Sequence, residues 1–284
     1  MKTSPSLCSR LSHRLVALVG LVGLVGLAAC GVNQIVQPEP APTLPSCVPD
    51  RDGQITAAEL PIAYGATVAY YASPVGATRT INTGGTSKLW DLSEERADDA
   101  IVALGPVELK GQWFAPQFPS GQFVVDGGGG LDGIYHQDDQ ALWLDGTASH
   151  EPAPAAGKTL VRYAQPIAVL RLPVTDGDAY TTLAQIPDGI VAGLPFIGTD
   201  QVEVDITGDG RVDVPYVRFS PVLRARTLVT RKPSTGTPVV TRRNTIFLFE
   251  CFGEIARAES RVDEPAADFT TAAYLRRFAL GETP

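Results

Sequence analysis

Catalytic side chains are scarce in this chain of 284 residues. It has three histidines, and only His136 and His150 lie beyond residue 29. It contains neither the Gly-x-Ser-x-Gly turn of hydrolases nor the His-x-x-x-His and Cys-x-x-Cys pairs of zinc sites. The glycine run at 127–130 is not followed by the Lys-Ser or Lys-Thr of a phosphate-binding loop. These absences predict that the protein is not an enzyme; a hydrolase with an unrecognised site is an alternative.

Basic residues are also in short supply. The chain has 23 Lys and Arg against 31 Asp and Glu, and three of the basic residues, Lys2, Arg10 and Arg14, lie in the first 29 positions. Beyond these positions 20 basic residues face 31 acidic ones, which gives a formal net charge of −11. Binding to nucleic acid needs clustered Lys and Arg to meet the phosphates. The sequence therefore predicts no nucleic-acid partner.

The first 29 residues have the pattern of a bacterial export signal. A positively charged start is followed by an uncharged run of 15 residues at 15–29. That run is short for a membrane-spanning helix, which needs about 20 apolar residues. It ends in Leu27-Ala28-Ala29-Cys30-Gly31, which resembles the lipobox of bacterial lipoproteins.

The lipobox resemblance implies a location for the protein. It implies that residues 1–29 are a signal peptide removed before Cys30, and that the Cys30 thiol carries lipid that anchors the chain to a membrane. Stable anchoring needs more than one acyl chain, and the lipobox modification supplies several. Gly31 stands where an Asp often marks retention at the inner membrane, so the resemblance implies a cell-envelope protein of the outer membrane.

A proline-rich linker follows the lipidated residue. Residues 30–46 include Pro38, Pro40, Pro42 and Pro45, which favour an extended polyproline conformation. Sixteen such residues reach roughly 50 Å at about 3.1 Å each, so the linker acts as a spacer. We predict that residues 47–284 form a single, mostly β globular domain, because all-β domains often reach this size as one unit.

Cysteine usage predicts one disulfide bond. Cys8 leaves with the signal peptide and Cys30 carries the lipid, which leaves Cys47 and Cys251. Two cysteines in an oxidising compartment favour a disulfide, and two buried free thiols are the alternative.

Short strands separated by turn residues dominate the domain. Val202, Val204 and Ile206 alternate with acidic residues, which is typical of a half-buried strand. Segments 223–231 and 237–249 flank a turn at 232–236 and predict a hairpin. We therefore expect an all-β fold, an antiparallel sandwich or half-open barrel with one C-terminal helix. That helix would be capped by Asp268 and end at Gly281. Its apolar positions are Ala272, Leu275, Phe278 and Ala279.

The segment from Asp205 to Asp213 is the strongest candidate metal site. Asp205-Ile206-Thr207-Gly208-Asp209-Gly210-Arg211-Val212-Asp213 resembles the calcium loops of FG-GAP and dockerin-like repeats. The resemblance implies calcium as a cofactor, bound by the side chains of Asp205, Thr207, Asp209 and Asp213 and by the Arg211 carbonyl. Calcium prefers six to eight hard oxygen ligands, which such a loop provides. A Gly-Asp-Gly turn between strands is the alternative.

Two further segments carry weaker signals. Residues 50–59 resemble an EF-hand calcium loop, but Val48 stands where the first carboxylate should be, so we favour a helical cap formed by Thr56 and Glu59. His136 precedes Asp138 and Asp139, which offer metal ligands, yet this stretch is first of all typical of a hairpin turn.

The predicted function follows from the anchor rather than from a site. The motifs Gly84-Gly85, Trp90-Asp91-Leu92-Ser93, Asp132-Gly133-Ile134-Tyr135 and Leu142-Trp143-Leu144-Asp145-Gly146 resemble those of other exported bacterial β proteins, which implies no activity. We expect a non-enzymatic envelope lipoprotein that binds a ligand, such as a lipid, or another envelope protein. A calcium-stiffened structural or adhesion module is an alternative.

Overall fold

The computed structural model describes residues 46–82, 88–235 and 239–281. The predicted signal peptide, the lipidation site Cys30 and the linker as far as Pro45 lie outside the described residues.

The described chain is built almost wholly from β-strands. Its helical content is limited to two short 3₁₀ turns, Ala57–Glu59 and Ala115–Gln117. The predicted all-β fold is thus confirmed. In chain order the strands are β1 (Gln54–Ile55), β2 (Val68–Ala72), β3 (Arg79–Thr80), β4 (Leu89–Asp91), β5 (Ala100–Leu104), β6 (Val107–Glu108), β7 (Phe123–Gly128), β8 (Leu131–Gln137), β9 (Ala141–Ser149), β10 (Leu160–Arg171), β11 (Val174–Thr175), β12 (Ala179–Val191), β13 (Leu194–Val214), β14 (Val217–Pro233), β15 (Val240–Phe249), β16 (Gly253–Glu259), β17 (Thr271–Ala272) and β18 (Tyr274–Phe278).

One large sheet organises the domain. Its strand order is β5-β2-β18-β16-β15-β14-β13-β12-β10-β9-β8-β7-β6, and every neighbouring pair along this path is antiparallel. The two end strands, β5 and β6, are consecutive in the chain and joined by Gly105 and Pro106. A link this short requires the two edges to approach each other, so the sheet folds back on itself as a sandwich-like body without closing into a barrel.

The long strand β13 shows why the sequence folds in this way. From Gly198 to Val214 every even position is buried, and every odd position is half-buried or exposed. As far as Gly208 this period of two places Val202, Val204 and Ile206 on one face. An irregularity at Asp209 then reverses the sides, so that Val212 and Val214 pack on the opposite face, around Trp90. The predicted hairpin is also present, because β14 pairs with β15 along residues 223–231.

Buried apolar side chains form three clusters. The first joins β10 to strands β12 to β14, the second surrounds Trp90, and the third lies against the segment 109–118. Full burial of a large apolar side chain contributes about 1.5–3 kcal/mol, so these clusters supply the main stabilising contribution. In the same order, fully buried members are Ile167, Ile186 and Ile206; Phe247, Ile255 and Phe269; and Phe114 and Ile134.

The predicted C-terminal helix is wrong, because the segment forms β17 and β18. Strand β18 lies between β16 and β2 and pairs with both. Asp268 does not cap a helix; its carboxylate accepts hydrogen bonds from Arg224 and Arg226. Arg276 and Arg277 are buried and bind Glu254 and Asp99, respectively. These long-range pairings outweigh the local helical pattern of the sequence.

The predicted disulfide between Cys47 and Cys251 is present, with a Cα–Cα distance of 5.6 Å. It closes a loop of 204 residues, and it joins the start of the domain to the turn between β15 and β16. The loop length predicts a stabilisation of at most about 5 kcal/mol, through the lower chain entropy of the unfolded state.

A charged group that is only 15% exposed lies next to this turn. The Glu254 carboxylate forms a salt bridge with Arg257 at 2.7 Å and another with Arg276. Burial raises the pKa of Glu254, but the charges and hydrogen bonds of the two arginines outweigh this effect and lower the pKa to about 2.

Glu254 therefore makes the stability of the domain depend on acidity. Because its folded pKa is depressed from 4.5 to about 2, its contribution of roughly 3 kcal/mol is present above pH 4.5 and is lost as the pH falls toward 2. We expect Glu254→Gln to lower the free energy of unfolding at pH 7 and to flatten its dependence on pH in this window, as measured by urea denaturation. The exposed Glu95→Gln serves as the control. Identical acid profiles for Glu254→Gln and the wild type would contradict this role.

Candidate functional site

The predicted calcium segment is not a loop; it is the second half of β13. The two glycines that suggested a turn have another role. A Cβ atom on Gly210 would overlap the ring of Trp90, and one on Gly208 would lie 2.8 Å from Asp176. These glycines allow close approach of neighbouring side chains to the strand, and Asp209 between them adopts a positive φ of 55° at an irregularity in the β13–β14 pairing.

The five predicted calcium ligands, Asp205, Thr207, Asp209, Arg211 and Asp213, lie along this strand but do not share one face. Asp205 and Thr207 lie on the side of Arg224 and Trp90, and the irregularity at Asp209 reverses the sides, so that the later three residues lie on the opposite side. Successive side chains on one face of a strand are about 7 Å apart, whereas calcium ligands lie about 2.4 Å from the ion. The structure therefore spreads the five residues over both faces of β13 and does not bring them together in one coordination shell.

Arginines of β14 bind oxygen atoms of three of these residues. Arg226 Nε donates to Asp205 at 3.0 Å, and Arg224 Nε donates to the Thr207 hydroxyl at 3.0 Å. Arg218 binds both oxygens of Asp213, at 2.8 and 3.1 Å. These oxygen atoms are thus already committed to arginine partners within the sheet.

A second acidic group was only partly predicted by the sequence. Carboxylate oxygens of Asp50, Glu59 and Glu250 lie within 4.8 Å of one another, so these residues could hold a divalent cation. The predicted cap is also present, since Glu59 accepts hydrogen bonds from the backbone N–H and the hydroxyl of Thr56. Glu250 is 4% exposed and accepts a hydrogen bond from the Arg51 backbone at 2.7 Å.

Glu250 was not among the residues predicted for an acidic site, although the sequence contains a signal for it. Glu250 precedes Cys251, and Asp50 follows Cys47 by three residues. The disulfide that joins these cysteines therefore brings two distant acidic residues together. An acidic residue next to a predicted disulfide partner is the pattern that would have identified it.

Both histidines of the domain pair with carboxylates on the neighbouring strand. His136 Nδ1 lies 2.7 Å from Asp145, and its ring stacks on Trp143. His150 lies 3.1 Å from Asp132. Burial raises the pKa of both aspartates. The predicted hairpin turn after His136 is present, with Asp138 accepting hydrogen bonds from the backbone of residues 140 and 141.

The two best-formed depressions in the described structure differ in kind. One, beside Asp209 and Glu250, has a volume of about 10 Å³, enough for one water molecule. The other is an open groove of about 460 Å³ whose walls include Tyr64, Lys110 and Gln122. Neither is a large enclosed apolar cavity of the kind that would hold a lipid chain.

Some of the exposed apolar side chains lie at two opposite ends of the sheet, whereas others, among them Val75, Leu89 and Leu131, lie elsewhere. At the end where β12 turns into β13, four such residues form what we call the distal patch, Leu183, Leu194, Ile197 and Val239. At the other end, around the disulfide, four more form the anchor-side patch, Val48, Tyr216, Phe252 and Leu280.

Comparison with protein-family models, curated proteins and solved structures finds no match to this chain. Within residues 46–82, 88–235 and 239–281, no helix has the length and apolar character needed to span a bilayer. The function must therefore be argued from the chain itself.

Calcium binding stays a prediction of the sequence, and it can be tested at two places, the predicted segment 205–213 and the converged group of Asp50, Glu59 and Glu250. We expect added calcium to raise the melting temperature relative to EDTA, since an ion that contributes about 1 kcal/mol raises it by about 2–4 °C in a domain of this size. Glu250→Gln should abolish the response, because it removes a ligand from the converged group, while Asp205→Asn should retain it. An unchanged melting temperature of the wild type contradicts calcium binding at either place.

Proposed function

We propose that this chain is a non-enzymatic lipoprotein of the cell envelope, held to the outer membrane by lipid on Cys30, whose β domain binds another envelope protein. The lipobox-like end of the leader supports the anchor. The distal patch is the observation that supports a protein partner. Soluble domains seldom leave several large apolar side chains exposed together unless a partner covers them.

The distal patch has the composition of a protein-binding surface. Its members are each between 45% and 70% exposed. Leu183 pairs with Gln201, which is on the same face of β13 as Ile197, so both apolar side chains leave the same side of the sheet. Gln185 and Thr199, which pair with each other between them, are uncharged, whereas the exposed Lys232 pairs with Thr199 on the same face. A partner that buries this face therefore has to supply a negative charge for Lys232 or leave it at the solvated rim.

The depressions favour a protein partner over a lipid carrier. A carrier needs an enclosed apolar cavity, whereas the larger of the two best-formed depressions is open to solvent. The calcium-stiffened module remains the second candidate, and the convergence of Asp50, Glu59 and Glu250 is the observation that favours it.

The anchor is tested by replacing the lipidated residue. We expect Cys30→Ala to abolish labelling with radioactive palmitate and to move the protein from the membrane fraction to the soluble periplasmic fraction. Hydrocarbon burial at about 0.8 kcal/mol per CH₂ is what holds it there. Cys8→Ala is the matched control, because Cys8 lies inside the predicted signal peptide. Labelled Cys30→Ala protein in the membrane fraction refutes the anchor.

The partner is tested by photo-crosslinking in cells. A photoreactive amino acid at Leu194 or at Ile197 should give an adduct of the same mass from both positions. Adding Leu183→Asp, which places a charge in the contact, should reduce its yield roughly tenfold. The same amino acid at the exposed Glu95 should give no such adduct. Equal adducts from all three positions, or none, argue against the distal patch as the binding surface.

A further inference from the structure

The anchor-side patch lies where the tethered chain joins the domain. Cys47, at the start of the domain, is bonded to Cys251, which directly precedes Phe252. Val48 follows Cys47 and is 83% exposed. Cys30, the residue proposed to carry the lipid, is therefore connected by 16 linker residues to this end of the sheet and not to the distal end.

The Phe252 ring of this patch packs on three other aromatic rings although it is exposed. Phe252 is 47% exposed, yet its ring lies 5.7 Å from Phe219, 5.7 Å from Phe249 and 6.0 Å from Phe278. Tyr216, at the turn between β13 and β14, is 68% exposed and precedes Phe219 by three residues. The turn between β13 and β14 and the turn between β15 and β16 both lie at this side of the sheet.

We infer that this aromatic end docks on the surface of the bilayer that carries the anchor. Tyrosine and other aromatic rings partition to the membrane–water interface, where an apolar body meets lipid and a polar tip meets water. The inference rests on the proposed lipid anchor, which confines the domain near the bilayer. An intramolecular contact of this kind needs little intrinsic affinity, because the linker keeps the effective concentration high.

The charges at this end select the kind of lipid surface. Asp50 and Asp52 are exposed beside Val48, and Asp50 lies close to the buried Glu250 and to Glu59. The exposed Arg51 between the two aspartates is a single cation among these four carboxylates, so the local charge is negative. Anionic headgroups would repel these carboxylates, whereas a zwitterionic surface would not. The contact is therefore made by aromatic and apolar side chains with a zwitterionic bilayer.

The same features argue against a protein as the occupant of this patch. The chain that leads to the proposed lipid enters the domain at Cys47, beside this patch, so the bilayer is the surface that the anchor brings nearest to it. The distal patch lies at the opposite end of the sheet.

Fluorescence quenching by brominated lipid tests the docking. The full lipidated protein, extracted from its membrane, is reconstituted into vesicles of phosphatidylcholine with or without bromine on the acyl chains. Tyr216→Trp and Phe252→Trp report on the aromatic end, and Leu194→Trp, at the distal end, is the matched control. The wild type, with Trp90, Trp113 and Trp143, provides the background emission.

We expect bromine to reduce the emission added by Tyr216→Trp and by Phe252→Trp roughly twofold, and to leave that of Leu194→Trp unchanged. Replacing part of the phosphatidylcholine with phosphatidylserine should reduce the quenching. Flotation of the vesicles reports separately on the anchor. Floating protein with no quenching at 216 and 252, or with equal quenching at 194, overturns the docking alone. Protein that fails to float overturns the anchor, and the docking fails with it.

Discussion

The disulfide between Cys47 and Cys251 is the constraint on which the arrangement of this protein depends. It fastens the first residues of the domain to a turn between two strands in the interior of the sheet order. Because of this bond, the tethered start of the chain, the acidic group around Glu250 and the aromatic ring of Phe252 lie at one end. The distal patch lies at the opposite end, and the proposed partner would bind there. This covalent link therefore decides which end of the domain the preceding chain enters.

Much of the fold could be predicted because burial in strands has a period of two. The alternation around Val202 and Val204 predicted β13, and the turn chemistry at 232–236 predicted the hairpin that follows. The segment around Gly208 and Gly210 was misjudged because glycine has two uses that look alike in a sequence. It permits a turn, and it also permits close approach of another group, here the ring of Trp90.

The C-terminal segment and the acidic group show a different limit. Ala272, Leu275 and Phe278 fit a helical stripe, but Arg276 and Arg277 are committed to Glu254 and Asp99, which are distant in sequence. Such pairings override local preference, and one sequence gives no sign of them. Glu250 also lies close to acidic residues that are distant in sequence, but its neighbour Cys251, a predicted disulfide partner, was a signal for this. Long-range charge pairing, more than local secondary-structure propensity, is therefore what could not be predicted from this sequence.

The functional account rests on lipid attached to the Cys30 thiol. The disulfide fixes the start of the domain, where the chain from Cys30 enters, at a defined end of the sheet. Intact-mass spectrometry of the protein extracted from its own membrane tests this most directly. The account predicts a chain that begins at Cys30 and carries the added mass of several acyl chains. It also predicts a mass that rises by two hydrogens on reduction of the Cys47–Cys251 bond. A mature chain that begins elsewhere, or one with an unmodified Cys30, contradicts it.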